Sequence, residues 1–151
     1  MVVNVRTATT SDLDDVERIE RGSFDRGRYQ REVLRQLLSG EDFFTIIAEE
    51  NELTVGYATV FCRKGCHSAR IISIAVLPAF RERGIAEELL AGIENRGQDM
   101  NAHRLMLEVA KTNGPAIRLY EKHGFRKICE LPDYYGSESD AFYMEKVLSE
   151  K

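Results

Sequence analysis

Residues 73–90 read SIAVLPAFRERGIAEELL. The period changes inside this stretch. An apolar run ends at Val76, Pro78 closes it, and a helix-like pattern carrying Leu89 and Leu90 begins at Gly84. Helix starts ordinarily place acids against the positive end of the dipole, whereas here Arg81 and Arg83 stand there. That arrangement is favourable if an outside anion joins them. A helix N-terminus offers free N–H groups, and Gly84 lets the backbone approach closely or take positive φ. The two guanidinium groups add charge-assisted hydrogen bonds, and small Ala86 keeps room above the first turn. Phosphate fits this description. A Walker loop is excluded because no GK[ST] follows, and a dinucleotide fingerprint because only one glycine is present. On this hexapeptide alone, a solvated charged turn before an ordinary helix stays open.

Outward from this stretch the elements alternate in type. Downstream come the strand HRLMLEVA (103–110), a helix from about Pro115 to His123 ended by Gly124, and the strands FRKICEL (125–131) and DAFYMEKVL (140–148). Upstream, ARIISIAV (69–76) is a strand, preceded by DFFTIIAEE (42–50) and LTVGYATVFCR (53–63) in hairpin order. Before them a helix of about Gln30 to Leu38 is predicted to bury Val33, Leu34, Leu37 and Leu38. A first helix places Leu13, Val16 and Ile19 on one face, and VVNVRTA (2–8) opens the chain as a strand. The helix at Gly84 is predicted to run to about Asn95. This order implies an α+β domain with a mixed sheet. Antiparallel hairpins come first, and a later β-α-β unit supplies parallel pairing. Helices on both faces make an α/β/α three-layer sandwich. No repeat or linker divides the chain, so residues 1–151 read as one domain.

Composition narrows the class. With 43% hydrophobic and 30% charged residues, the chain is an ordinary globular protein. A net charge of −4 does not point to direct nucleic-acid binding, and no segment is apolar enough to span a bilayer or act as a signal peptide. Three cysteines, an odd number, suggest reduced thiols and a cytoplasmic location. Cys62, Cys66 and His67 match no standard zinc spacing, so they read as a hairpin tip with incidental thiols and no metal is expected.

Three further positions carry chemical interest. In LMLEVA the alternation of Leu105, Leu107 and Val109 leaves Glu108 on the other face with Met106. A carboxylate in a central strand is expensive unless it has a task or a partner, although an exposed strand face competes. Ile117, Leu119 and Tyr120 cannot share one narrow helical stripe, so Tyr120 is expected to face away from the main core, with a core tyrosine as the rival reading. Asn113 precedes Gly114 and Pro115, as helix caps do.

The stretch SIAVLPAFRERGIAEELL resembles the acetyl-CoA-binding segment of the GNAT superfamily of N-acetyltransferases, with its Q/R-x-x-G-x-G/A motif. LEVAKTNGPAIRLYEKHGF (107–125) resembles the family's second signature, and YYGSESDAFYM (134–144) resembles the C-terminal part of enzymes that acetylate protein N-termini, one acting on a ribosomal protein among them. The resemblance covers residues 4–148 and implies a seven-stranded mixed sheet with about four helices. It implies that Arg81, Glu82, Arg83, Gly84, Ile85 and Ala86 hold the pyrophosphate of coenzyme A, and that the strand around Ile74, Ala75 and Val76 pairs its backbone with the pantetheine arm. Asn113 and Tyr120 would also contact the coenzyme.

Acetyl transfer to an amine needs a neutral amine, a stabilised carbonyl oxygen and a proton for the departing thiolate. The resemblance gives Glu108 the general-base position, acting directly or through water, and Tyr120 that of general acid. The resemblance implies that Tyr134 and Tyr135 line a slot for a peptide's first residues, with hairpin packing as the rival reading, and Phe24 is the candidate for the opposite wall. One departure bears on that slot: related enzymes carry a Leu-Pro-Glu-Asn-Tyr-like segment where this chain has SFDRGRYQ. The expected activity is transfer of acetyl from acetyl-CoA to the α-amine of a peptide or protein, releasing coenzyme A, with a ribosome or auxiliary subunit as conceivable partners. A small-amine acetyltransferase for a polyamine or amino acid, and a non-catalytic acyl-CoA-binding regulator, are the alternatives.

Overall fold

A computed structural model describes residues 3–23, 28–134 and 140–148. The strands are β1 (Val3–Thr7), β2 (Phe43–Glu50), β3 (Leu53–Phe61), β4 (Ser68–Val76), β5 (Arg104–Ala110), β6 (Arg126–Leu131) and β7 (Ala141–Val147). The helices are α1 (Leu13–Ser23), α2 (Arg31–Ser39), α3 (Ile85–Asp99) and α4 (Gly114–Lys122). One seven-stranded sheet runs β1-β2-β3-β4-β5-β7-β6. Every neighbouring pair is antiparallel except β4 and β5, which are parallel. The α+β three-layer reading holds.

The pleat explains the layers. Along β2, Ile46 faces α3 in a core with Leu89, Leu90 and Ile93, while Ile47 faces α1 and α2 with Leu13, Val16, Ile19 and Leu34. β3 divides in the same way, Ala58 and Val60 to one side and Tyr57 to the other. Close approach of α3 needs Gly56, where a Cβ would stand 3.1 Å from the Ala75 carbonyl oxygen and 3.2 Å from Leu89 Cδ1.

Three local expectations are corrected. Only Leu34 of α2 is fully buried; Val33 is 38% exposed. The helix rests on α1 and β2 and turns Val33 and Leu37 toward a neighbouring opening. Helix α3 runs four residues past Asn95, and Gly97 in that extension is buried beside Ala102 and Leu105. Cys62 is buried in the core and not at a hairpin tip, where Cys66 is exposed. Burial pushes the Cys62 thiol up.

The feature that positions the site is a ladder that stops early. β4 and β5 pair only at Ser68–Arg104, Ala69–Leu105 and Arg70–Met106. Beyond these the strands diverge, although β5 stays paired to β7 along its whole length, from Arg104–Val147 to Ala110–Ala141. On its other side β4 carries an irregularity: Thr59 pairs with Ser73 but Val60 with Ile71, leaving Ile72 as an extra residue. Bulges of this kind re-aim backbone groups, here beside the gap.

Candidate active site

A cavity of about 450 Å³ fills the gap, lined by Ile71 to Ile74 of β4, Leu107 to Ala110 of β5, and Asn113, Ala116 and Tyr120 of α4, with Glu20 and Tyr29 on the far wall. A second opening of about 440 Å³ shares Tyr29, Ile71, Ile72 and Glu108 with it and extends to Val33, Leu37, Phe43, Phe61, Arg70 and Tyr134. Glu108 therefore stands where two chambers meet.

Alternation along β5 sends Leu105, Leu107 and Val109 into the core and Glu108 into the gap. Its side chain is only 9% exposed and forms an ion pair with Arg70. The same Glu108 Oε1 accepts the Tyr134 hydroxyl at 3.1 Å, and Arg70 Nη2 donates to the Tyr134 oxygen at 2.8 Å. The expectation that Glu108 has a partner is met by a residue that sequence reasoning missed. Arg70 lies 38 positions away, and only the short parallel ladder brings it opposite Met106.

Tyr120 is corrected in orientation. It is 7% exposed and packs edge-to-face on Phe125 with ring centroids 5.6 Å apart, inside the main core. It still lines the cavity beside Glu108, because the gap is cut into that core. Asn113 accepts the Ala116 N–H at 3.2 Å as the N-cap of α4 and also lines the cavity.

The arginine-glycine turn is partly as expected. Gly84 is the N-cap of α3 at φ +83°, with no side-chain cap, and a Cβ there would meet no protein atom within 4 Å. As at any helix start, the first N–H groups of α3 have no carbonyl partner within the helix. Glu87 and Glu88 do stand in the helix's first turn, so the arginines belong to the preceding turn and do not replace helix-start acids. Arg83 Nη1 reaches Glu50 Oε1 at 3.2 Å and its guanidinium lies 5.1 Å from the Phe80 ring centroid, while Arg81 Nε donates to the Val76 carbonyl at 3.0 Å. These contacts brace the turn and engage both arginines within the protein. Glu82 takes φ +63° and is exposed.

Ile85 and Val76 pack their side chains into one core and Ala75 into the other, and none of the three lines the cavity; Ile74 lines it directly. Among the described residues, the β5-facing edge of β4 has no strand partner beyond Arg70. An open edge beside an uncapped helix start suits a molecule with an amide-bearing arm and phosphates. Phe24 and Tyr135 lie outside the described residues.

Sequence reasoning also missed the wall formed by Glu20, Tyr29, Tyr57 and Ser73. Tyr29 donates its N–H to Glu20 Oε2 at 2.7 Å, and its phenol is pushed up by burial and then by the Glu20 charge. The signal was present. Val16, Ile19 and Glu20 fall on one stripe of α1, and an acid on an apolar stripe is the exception to explain.

Residues 11–125 match the acetyltransferase (GNAT) family. The chain belongs to that family. It is an acyltransferase that depends on acetyl-CoA. An N-alpha-acetyltransferase of Sulfolobus acidocaldarius is 33% identical over 151 aligned positions, covering 93% of this chain and 89% of that one. Among solved structures, Ard1 from Thermoplasma volcanium superposes with a TM-score of 0.86 at 27% identity, covering 99% of this chain and all of that one. The ribosomal-protein-S18-alanine N-acetyltransferase of Escherichia coli reaches a TM-score of 0.89 at 23% identity over 99% of this chain and 96% of that one, a likeness of fold. Among the described residues, no helix is long and apolar enough to cross a membrane.

Proposed function

We propose that this enzyme, one catalytic domain over residues 1–151, transfers the acetyl group of acetyl-CoA to the N-terminal α-amine of a peptide or protein in the cytoplasm. The observation that carries the reading is the junction at Glu108. One chamber leads from it to α4 and the open edge of β4, and another leads out past Tyr134. Two substrates can then meet from opposite sides. The relative from Sulfolobus acidocaldarius, named an N-alpha-acetyltransferase, supports the same acceptor.

Bound acetyl-CoA supplies the reactive thioester. The N–H groups that follow Gly84, with Arg81, Arg83 and Ala86, would hold its phosphates, the backbone of Ile74 to Val76 would hold its arm, and Asn113 would contact it from the start of α4. Glu108 receives a proton from the amine, directly or through a water. Tyr120 donates a proton to the leaving sulfur, a task open to a phenol because it still carries its proton at neutral pH and its ordinary pKa of about 10 lies near that of a thiol. Tyr134 walls the acceptor slot, for which Tyr135 and Phe24 are further candidates from the sequence, and a chain end enters such a slot more easily than a side chain fixed on a folded surface. An α-amine has a pKa about two units below that of lysine, so it also asks less of its base. A ribosome or an auxiliary subunit would present such an end.

A peptide array varied at its first two residues and incubated with labelled acetyl-CoA tests this. Label on α-amines with spermidine as a poor competitor is expected. Label mainly on lysine side chains, or spermidine outcompeting every peptide, would contradict it.

A further inference from the structure

An α-ammonium gives up two protons on becoming an amide, and Glu108 accounts for only one of them. Its Oε1 is moreover shared between Arg70 and Tyr134. A second carboxylate lines the same cavity. Glu20 is 2% exposed, and among the described residues it meets only neutral donors, Tyr57 hydroxyl to Oε1 at 2.5 Å and Tyr29 N–H to Oε2 at 2.7 Å. Tyr57 is fully buried, and its oxygen lies 2.9 Å from Ser73 Oγ, with either atom able to donate. Ser73 lines the cavity beside the extra residue Ile72. Three elements, β4, β3 and α1, thus contribute to one unbroken line of hydrogen bonds from the cavity wall to a buried carboxylate. Burying a carboxylate is expensive, and an apolar residue at position 20 would satisfy the packing of this stripe of α1 at less cost.

We propose that Ser73, Tyr57 and Glu20 form a proton relay that discharges the acceptor's ammonium group, a role that rests on the α-amine reading above. An ammonium proton passes to Ser73 Oγ, the Ser73 hydroxyl proton to the Tyr57 oxygen, and the Tyr57 hydroxyl proton to Glu20 Oε1. The N–H bond breaks with its electron pair left on nitrogen, Glu20 ends protonated, and no other reactant is consumed. Concerted transfer avoids a free tyrosinate, which burial and the nearby Glu20 charge disfavour by pushing the Tyr57 phenol well above its ordinary value. Ser73 is the member that touches the acceptor; Tyr57 and Glu20 are positioning residues acting through it. The groups that face Glu20 are Tyr57 from β3, Ser73 from β4 and Tyr29 before α2. Across the cavity stand Glu108 with Arg70 and Tyr134, and Tyr120 from α4.

The test is the pH dependence of kcat/KM on an N-terminal peptide for Ser73→Ala, Tyr57→Phe and Glu20→Gln. Near pH 6.5 each variant is expected to lose about tenfold or more, with acetyl-CoA affinity within about twofold of wild type. Near pH 9.5, well above the ordinary α-amine pKa of about 8, the deficit should shrink below about twofold because the amine arrives neutral. The Ser73→Ala/Tyr57→Phe double variant should be no worse than its poorer parent, since both interrupt the same line. Ser73→Ala removes one oxygen and keeps the test available if Glu20→Gln does not fold. A loss of equal size at every pH, or no loss, overturns the relay. A wild type that acetylates no peptide α-amine would instead overturn the acceptor reading, a result recognisable before any variant is made.

Discussion

The two edges of β5 differ sharply. Toward β7 the ladder is complete, and Met144, opposite Leu107, has no solvent exposure at all. Toward β4 it ends after three pairs, and the freed length borders a cavity holding Glu108, Tyr120 and Asn113. One strand therefore serves as scaffold along one side and as active-site wall along the other. Side chains satisfy part of the freed edge, Tyr29 donating to the Ile72 carbonyl and Arg81 to that of Val76. The edge has the form that an added strand-like ligand completes. The open edge ends near the α3 start, whose N-cap Gly84 carries no side-chain cap, whereas Thr9 and Asp12 close the turn before α1 with a full capping box.

If this division is right, substitutions on the two sides separate stability from catalysis. The largest effect should fall on the closed side. Met144→Ala is expected to cost about 2–5 kcal/mol of unfolding free energy, read by denaturant titration, with KM for both substrates unchanged in the fraction that remains folded. Next comes Tyr120→Phe on the open side, where kcat should fall about 10²-fold or more while acetyl-CoA binds within about twofold of wild type. A variant that lost coenzyme affinity in step with kcat would move Tyr120 from proton donor to binding wall. The smallest effect belongs to Gly84→Ala. The added methyl meets no protein atom, so the positive φ should cost about 1–2 kcal/mol of stability. Acetyl-CoA affinity by calorimetry should fall about tenfold, through crowding of the phosphates. Unchanged affinity would remove the phosphate cradle from this turn.

Much of this contrast was legible in advance and part of it was not. The strand and helix order follows from apolar period, and the crossover from the Val76–Pro78–Gly84 punctuation fixes the parallel pair. Glu108 was readable because a carboxylate interrupts an alternating strand. How long two strands stay paired is not written in either one. β4 and β5 each read as continuous strands, and neither their divergence after Arg70 nor the irregularity at Ile72 beside it leaves a mark in the apolar pattern of either strand. Partners set by that geometry, Arg70 and Tyr134 on Glu108, were hidden for the same reason. Tyr120 misled because helix periodicity distinguishes core from solvent and cannot represent a cavity inside a core. Glu20 was legible as an acid on an apolar stripe, but its partners lie 9 and 37 positions away.

The central claim is that acetyl-CoA completes the free edge of β4 and the start of α3. Amide hydrogen exchange with and without saturating acetyl-CoA measures this segment by segment. Slowed exchange over residues 71–76 and at Ile85 to Glu87, with the β5–β7 ladder unchanged, is the predicted result. Protection confined to other segments, with β4 and the α3 start exchanging as fast as before, would contradict it.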